Sequence, residues 1–200
     1  MPKIDSVVFD VGWVLVHLDY KPLLDYLASS GQRYDLKEVI AAIDLAAHER
    51  GEWGGDQLMD NMIQLAPDLD KGKLTDYWTS MFIPVESMFS LARNLSQTHR
   101  VHLLSNVGDL HWTHLDQQFQ LLSLAHSALP SFEAKVMKPH RDIYKLAEQR
   151  LDLNPVTTVF IDDLLPNVES AIECGWHAIQ HVSPEKTINA LQSMGVVKAR

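Results

Sequence analysis

Polar side chains follow short apolar segments at three places in this sequence. Asp10 ends the run VVFD, Ser105 and Asn106 end VHLLSN, and Asp162 and Asp163 end TTVFIDD. Carboxylates, a hydroxyl and an amide are groups that bind cations and anions, whereas the apolar runs before them are typical of buried strands. The spacing therefore predicts one site to which all five residues contribute.

Three of these groups are carboxylates, which would repel one another unless a divalent cation neutralised them, and oxygen ligands favour Mg²⁺. With the cation in place, Asp10 could direct one oxygen at an electrophile. A phosphoryl group fits, because the Ser105 hydroxyl and Lys138, in the loop VMKPHRDIY, would offset its negative oxygens. The residues predict a small phosphorylated substrate and an aspartyl-phosphate on Asp10.

The elements that must position these residues are the strands of a parallel sheet. Four segments have the composition of strands buried on both faces: 7–10, 101–106, 157–163 and 177–182. Helical patterns at 139–150 and 166–174 each begin at a proline. This alternation predicts an α/β fold, a doubly wound Rossmann-like parallel sheet. Ligands bind beyond the carboxyl ends of such strands, where the polar residues lie.

Residues 19–83 have a different pattern, with helical stretches and no convincing strand. About sixty residues of helix exceed what a single crossover needs. We expect them to form a small inserted helical cap. Residues 1–18 and 84–200 would then form the α/β core domain.

Composition excludes several classes of partner. The chain has 200 residues and a net charge of −9, which argues against nucleic acid and anionic membranes as partners. Its single cysteine, Cys174, cannot form an internal disulfide, and no apolar run is long enough to cross a membrane. The N-terminus lacks the features of a secretory signal. We expect a cytoplasmic protein with a small-molecule substrate, and the oligomeric state stays open.

The segments FDVGWVL, LLSN, VMKP and FIDDLLPN resemble, in this order, the four motifs of the haloacid dehalogenase (HAD) superfamily of hydrolases. The resemblance covers essentially the whole chain. It is strongest to the sugar-phosphate phosphatases and to the phosphatase-like N-terminal domain of soluble epoxide hydrolases. It implies that Asp10 is the nucleophile, that Ser105 and Asn106 bind phosphate, and that Lys138 steadies both nucleophile and phosphate.

The resemblance also implies the magnesium ligands. By position, Asp163 and Asp10 would bind Mg²⁺ together with the backbone carbonyl of Gly12. Asp162 would support Asp163 or bind the ion through water. Asn167 lies nearby, on the helix that follows.

Gly12 departs from the family pattern, because most phosphatases of this superfamily carry an acid–base aspartate at that position. General acid–base help is typically worth about 10²–10⁴-fold in rate. Three interpretations remain open: a phosphatase of easily displaced groups such as an anomeric sugar oxygen, proton transfer by another group such as His17 or a water, or a binding protein without catalysis. Dehalogenases lack the aspartate too, although they generally carry neutral residues in the fourth motif.

Substrate selection is predicted from position alone. Trp13 and His17 follow the nucleophile, and the stretch HERGEWGG at 48–55 lies in the expected cap. Packing under the cap is an alternative for Trp13. Two histidines, His111 and His114, are expected on a solvated helix face. The sequence offers no physical reason for Lys135, where relatives often have glycine.

Overall fold

The structure, a computed structural model, describes residues 3–198, which form strands and helices. The strands are β1 Ser6–Phe9, β2 Val16–Leu18, β3 Phe82–Pro84, β4 Arg100–Ser105, β5 Ser127–Pro130, β6 Thr158–Asp162 and β7 His177–Gln180. The first helices are α1 Lys21–Ala28, α2 Leu36–Ala42, α3 Leu45–Glu49, α4 Gly55–Ile63, α5 Lys71–Thr79 and α6 Glu86–Leu95. The others are α7 Asp109–Phe119, α8 Leu121–Leu124, α9 Ser131–Ala134, α10 Arg141–Arg150, α11 Leu165–Glu173 and α12 Pro184–Ser193, with a 3₁₀ turn at Pro155–Thr157.

Five strands form one parallel sheet in the order β5-β4-β1-β6-β7. The central strand β1 pairs with β4 and with β6, and Ser6 is in register with both Arg100 and Thr158. Since the three strands run in the same direction, their carboxyl ends lie at one edge. That edge receives the residues that the sequence places at the ends of β1, β4 and β6.

Helices cover both faces of the sheet because the side chains of β1 alternate between two apolar clusters. Val7 and Phe9 belong to the cluster that contains Met88 of α6. Val8 belongs to the opposite cluster, with Ile143 of α10. Burial on both faces accounts for the continuous apolar run in the sequence and confirms the doubly wound α/β prediction.

Three strands were absent from the sequence prediction. One is β5, the edge strand Ser127–Pro130, which pairs with β4. The other two are β2, Val16–Leu18, and β3, Phe82–Pro84, which pair with each other antiparallel, and β3 begins inside the range 19–83 that was expected to contain no convincing strand. All three are three or four residues long, too short to show a periodicity of their own.

Five helices, α1 to α5, lie between Lys21 and Thr79 and share an apolar cluster that includes Leu23, Leu58 and Trp78. Three of them begin at aspartates, Asp35, Asp44 and Asp70, whose side chains accept hydrogen bonds from the first turn. We refer to residues 19–83 as the cap. Its division from the core as a separate domain stays a prediction. Among residues 3–198, no helix combines the length and apolar character that crossing a membrane requires.

Candidate active site

Asp10 lies directly after β1, where its backbone N–H donates to the carbonyl of Ile161. One carboxylate oxygen accepts a hydrogen bond from the N–H of Val11, and the other lies 2.9 Å from Nζ of Lys138. Burial raises the pKa of Asp10 to about 7, and the negative charge of Asp162 adds to this while Lys138 opposes it. A divalent cation at the site would favour the ionised form that a nucleophile needs.

Lys138 is buried, with 3% of its surface exposed, and it connects the two acidic strand ends. Nζ lies 2.9 Å from Asp10 and 2.7 Å from Asp162, and it also donates to the carbonyl of Leu104 at 3.0 Å. Burial alone would lower the pKa of this lysine, but the two carboxylates outweigh it and raise the pKa. Lys138 therefore carries a fixed positive charge beside Asp10.

The two acids of the fourth motif differ in how many hydrogen bonds they make. The carboxylate of Asp162 is fully buried and accepts hydrogen bonds from Lys138, from the amide of Asn167 at 2.9 and 3.1 Å, and from the N–H of Leu164. The side chain of Asp163 is partly buried and has no hydrogen-bond partner within residues 3–198. Burial and the charge of Asp162 raise the pKa of Asp163.

Three carboxylates converge at this edge of the sheet. Asp10, Asp162 and Asp163 each offer an oxygen, and these atoms all lie within 4.8 Å of one another. This donor set contains only oxygen, which suits Mg²⁺. Burial and, less strongly, the charge of Asp162 raise the pKa values of Asp10 and Asp163, and a bound cation would oppose both effects. The residues present therefore fit a magnesium ion.

Ser105 ends β4 and Asn106 follows it, and both line a cavity that Val11 and Gly12 also line. The Ser105 hydroxyl has no hydrogen-bond partner within the described residues, so it can bind a phosphoryl oxygen. Phosphate binding by Asn106 stays a prediction. In this structure the side-chain amide of Asn106 donates to the carbonyl of Lys138 and accepts from the N–H of Lys138, both at 2.9 Å.

The loop after Asp10 is a tight turn, in which Trp13 has a positive φ of 57° and donates its N–H to the carbonyl of Val16. The ring of Trp13 is 44% exposed rather than packed under the cap, and it contacts His17 edge-on at 5.4 Å. Neither ring lines the cavity in this structure, and the role of Trp13 and His17 in substrate selection stays a prediction. Gly12 does line the cavity, and the loop places it there.

The cavity has a volume of about 70 Å³ and lies between the core and the cap. The core contributes Gly12, Ser105 and Asn106, and the cap contributes Tyr20 and Glu49 among others. Glu49 falls in the 48–55 stretch, but nothing in the sequence singles it out from the other acids of the cap helices. A carboxylate at the end of a helix is most often a solvated surface group.

Two hydrogen bonds fix the cap segment that carries Glu49 onto the core. The hydroxyl of Ser131 donates to the carbonyl of Glu49, and Nζ of Lys135 donates to the carbonyl of Gly51, both at 2.6 Å. This hydrogen bond gives Lys135 a structural role, for which the sequence offered no reason. It also lines a groove of about 460 Å³ beside Lys138, together with Arg50 of the cap.

His111 was expected on a solvated helix face, and the structure places it inside. It is 7% exposed, its Nε2 lies 2.9 Å from the carbonyl of Trp78, and its ring stacks on the Trp78 ring at 4.5 Å. His114 lines a larger open groove of about 710 Å³ between α7 and the cap, away from Asp10. None of the predicted catalytic residues lines that groove.

Comparison with known proteins identifies a relative that is much longer than this chain. No protein-family model matches the chain. A relative, acyl-CoA dehydrogenase family member 10 of Mus musculus, is 25% identical over 210 residues, which cover 94% of this chain but only 19% of the mouse protein. The chain therefore spans about a fifth of that relative's length.

Two solved structures have the same architecture. A HAD family enzyme of Bacteroides thetaiotaomicron, in complex with magnesium and inorganic phosphate, superposes with a TM-score of 0.79 at 24% identity, covering 88% of this chain and 93% of that one. L-2-haloacid dehalogenase of Xanthobacter autotrophicus gives 0.64 at 17% identity, covering 98% and 85%. The HAD-like fold that the four motifs imply is confirmed.

Proposed function

We propose that this chain is a Mg²⁺-dependent hydrolase of small phosphoric monoesters that acts through an aspartyl-phosphate on Asp10. The observation that carries the proposal is the position of Nζ of Lys138 between Asp10 and Asp162, with Asp163 completing a cluster of three carboxylates. A carboxylate nucleophile, a fixed cation and an oxygen-only metal site together suit phosphoryl transfer.

The residues that would hold Mg²⁺ are Asp10, Asp163 and the carbonyl of Gly12, with Asp162 in support or binding through water. When bound, Mg²⁺ neutralises phosphoryl oxygens and allows an anionic nucleophile to approach an anionic substrate. The two acids divide their roles because Asp162 already accepts from Lys138, Asn167 and Leu164, whereas the carboxylate of Asp163 is free to bind an ion.

The other residues act on the phosphoryl group. One carboxylate oxygen of Asp10 attacks phosphorus, and the bond to the leaving oxygen breaks. Lys138 and the Ser105 hydroxyl stabilise the charge on the phosphoryl oxygens during this step. Water then attacks the aspartyl-phosphate, releasing inorganic phosphate and restoring Asp10.

The substrate class follows from size and from Gly12. The cavity of about 70 Å³ is far smaller than the roughly 300–1,000 Å³ of typical ligand pockets, so the cap would have to move to admit a metabolite. If nothing replaces the missing acid at Gly12, the enzyme would favour esters whose oxygen leaves without a proton. Sugar 1-phosphates are the metabolites of this kind that we propose first.

Dehalogenation is the second candidate, because Gly12 provides no acid and the fold is shared with a haloacid dehalogenase. Displacing a halide needs no cation, whereas here three carboxylates lie within 4.8 Å of one another. Their mutual repulsion favours phosphoryl chemistry over this alternative and over a binding protein without activity.

The test is phosphate release from sugar 1-phosphates, sugar 6-phosphates, an acyl phosphate and an aryl phosphate, with Mg²⁺ and with EDTA. We expect Mg²⁺-dependent turnover on at least one of them, and Asp10→Asn should abolish it. The matched control is Asp68→Asn, an exposed carboxylate of the cap, which should retain wild-type turnover. A 2-chloroalkanoate in the same panel tests dehalogenation.

Metal binding is measured separately, as the shift in melting temperature on adding Mg²⁺. An ion at a concentration of about 100 times its Kd would stabilise the folded chain by about 2.7 kcal/mol, which is a shift of several degrees. Asp163→Asn should abolish the shift, and Asp68→Asn should not. No shift in the wild type and no turnover on any phosphate ester would contradict the proposed function.

A further inference from the structure

Gly12 leaves the proposed phosphatase without a proton donor, and the cavity contains one carboxylate that the mechanism has not used. We propose that Glu49 of the cap is the catalytic acid and base for both halves of the reaction. This inference rests on the proposed function and adds to it a catalytic residue contributed by the cap.

Glu49 lies at the cavity that the core and the cap share. It is the last residue of α3, and it lines the same cavity as Gly12 and Ser105. Leu45, one helical turn earlier, lines the cavity as well, so this face of α3 is directed at the site. The Glu49 carboxylate forms no hydrogen bond or ion pair within residues 3–198, which leaves it available to a substrate.

Hydrogen bonds hold the backbone around Glu49 against the core. The backbone of Glu49 accepts a hydrogen bond from Ser131 of the core, and Gly51 accepts one from Lys135. The backbones also approach closely, since a Cβ added to Gly51 would lie 2.3 Å from the carbonyl oxygen of Phe132. An acid must be held within hydrogen-bond reach of the atom it protonates, and when the cap is closed, as in this structure, these contacts fix Glu49 relative to the core.

The surroundings of the Glu49 carboxylate also suit a role as acid and base. Burial raises the pKa of Glu49 to about 7, and the charge of Lys138 partly opposes this. A group that donates a proton in one step and accepts one in the next works best when its pKa is near the operating pH. The raised value would let Glu49 be protonated when the ester binds and ionised when water attacks.

Other titratable groups at the cavity are less suited. Burial raises the pKa of Tyr20 to about 12, with the charge of Glu49 adding to it, so the phenol retains its proton. Burial lowers the pKa of His111 to about 3, and its Nε2 already contacts the carbonyl of Trp78. His17, which the sequence offered as a replacement acid, is exposed and does not line the cavity.

Glu49 transfers one proton in each half of the reaction. Asp10 attacks phosphorus, the bond to the ester oxygen breaks, and that oxygen takes the proton of the Glu49 carboxyl as the alcohol leaves. The Glu49 carboxylate then removes a proton from water while the water oxygen attacks the phosphorus of the aspartyl-phosphate. Asp10 is released, inorganic phosphate forms, and Glu49 is protonated again.

The test is Glu49→Gln, which keeps the size of the side chain and removes its proton transfer. On alkyl phosphates such as sugar 6-phosphates, kcat should fall by about 10²–10⁴-fold. An aryl phosphate needs no proton in the first step, so the variant should release about one equivalent of aryl alcohol in a burst and then stall as the aspartyl-phosphate. The trapped phosphoenzyme is measured directly, as covalent phosphate on the denatured protein.

Glu133→Gln is the matched control, because Glu133 is an exposed glutamate on α9 and should show wild-type kcat and no burst. Melting temperature and circular dichroism verify that both variants fold. Wild-type kcat and no burst in folded Glu49→Gln would overturn the inference and leave the proposed function standing, as would a raised KM at unchanged kcat. A wild type that releases no phosphate from any ester would overturn both.

Discussion

At the scale of single residues, the site depends on a buried lysine. Lys138 makes ionic contacts to Asp10 and Asp162, and a buried charge is tolerated only when it is paired and hydrogen-bonded. Its backbone is in turn held by Asn106, which occupies both the N–H and the carbonyl of Lys138. We therefore expect Asn106 to position Lys138, and a measurement can separate this role from phosphate binding.

Asn106→Ala should lower kcat by about 10²-fold, because a reacting group displaced by 1 Å can cost that much. The inhibition constant of inorganic phosphate should change little, since the Asn106 side chain binds Lys138 rather than phosphate. Ser105→Ala provides the contrast: it should weaken phosphate inhibition, because it removes a hydroxyl that faces the cavity. Weaker phosphate binding in Asn106→Ala with unchanged kcat would restore the role predicted from the sequence.

At the scale of elements, the turn between α3 and α4 joins the cap to the core. Gly51 has a φ of 66° in this turn and abuts the backbone of α9, and Lys135 donates to its carbonyl. Glycine is required here for two separate reasons, the left-handed conformation and the close approach. The turn therefore sets where the cap contacts the core.

Gly51→Ala should destabilise the fold and also lower kcat, since the clash with Phe132 would move the segment that carries Glu49. Gly31→Ala is the matched control, because Gly31 also has a positive φ, of 94°, but nothing lies within 4 Å of an added Cβ. The control should cost only the left-handed strain, about 1–2 kcal/mol, and leave kcat unchanged. Equal kcat in both variants would contradict the positioning role of the turn.

At the scale of the whole molecule, stability depends on pH through buried groups of opposite sign. Burial lowers the pKa of His102 to about 4 and that of His111 to about 3, so both favour the folded state at neutral pH and lose this contribution as the pH falls below 6.5. Asp10 and Glu49 have raised pKa values, so they oppose this trend as the pH falls through 7. The pH profile of the wild type therefore mixes both effects, and a variant is needed to isolate one.

His111→Gln isolates the histidine, which is faced by His48 and His114 and by the carbonyl of Trp78. Urea unfolding at about pH 7.5 and about pH 5 gives the difference in unfolding free energy between the wild type and this variant. The difference should be smaller by about 2 kcal/mol at the lower pH, because only the wild type bears the cost of keeping a buried imidazole unprotonated. Thr113→Ala, an exposed position on the same helix, should give a constant difference. A constant difference for His111→Gln would contradict the prediction.

Much of the fold could be predicted from local sequence. Strands buried on both faces need continuous apolar runs, so β1, β4 and β6 were visible in the sequence, and the polar residues after them marked the functional edge. Asp10, Lys138 and Asp162 therefore belong to the part of the site that a sequence can reveal. The short strands β2, β3 and β5 were missed because each depends on its pairing partner rather than on its own pattern.

The sequence by itself determined the chemistry at the strand ends, since residue type and order are local properties. The tertiary structure alone decided that Asn106 holds Lys138, that Lys135 holds Gly51, and that Glu49 enters the cavity. These contacts join residues 32 and 84 positions apart, or the cap and the core. These contacts depend on how distant segments of the chain pack together. Burial and distance, which give Glu49 its raised pKa, are likewise properties of the folded chain only.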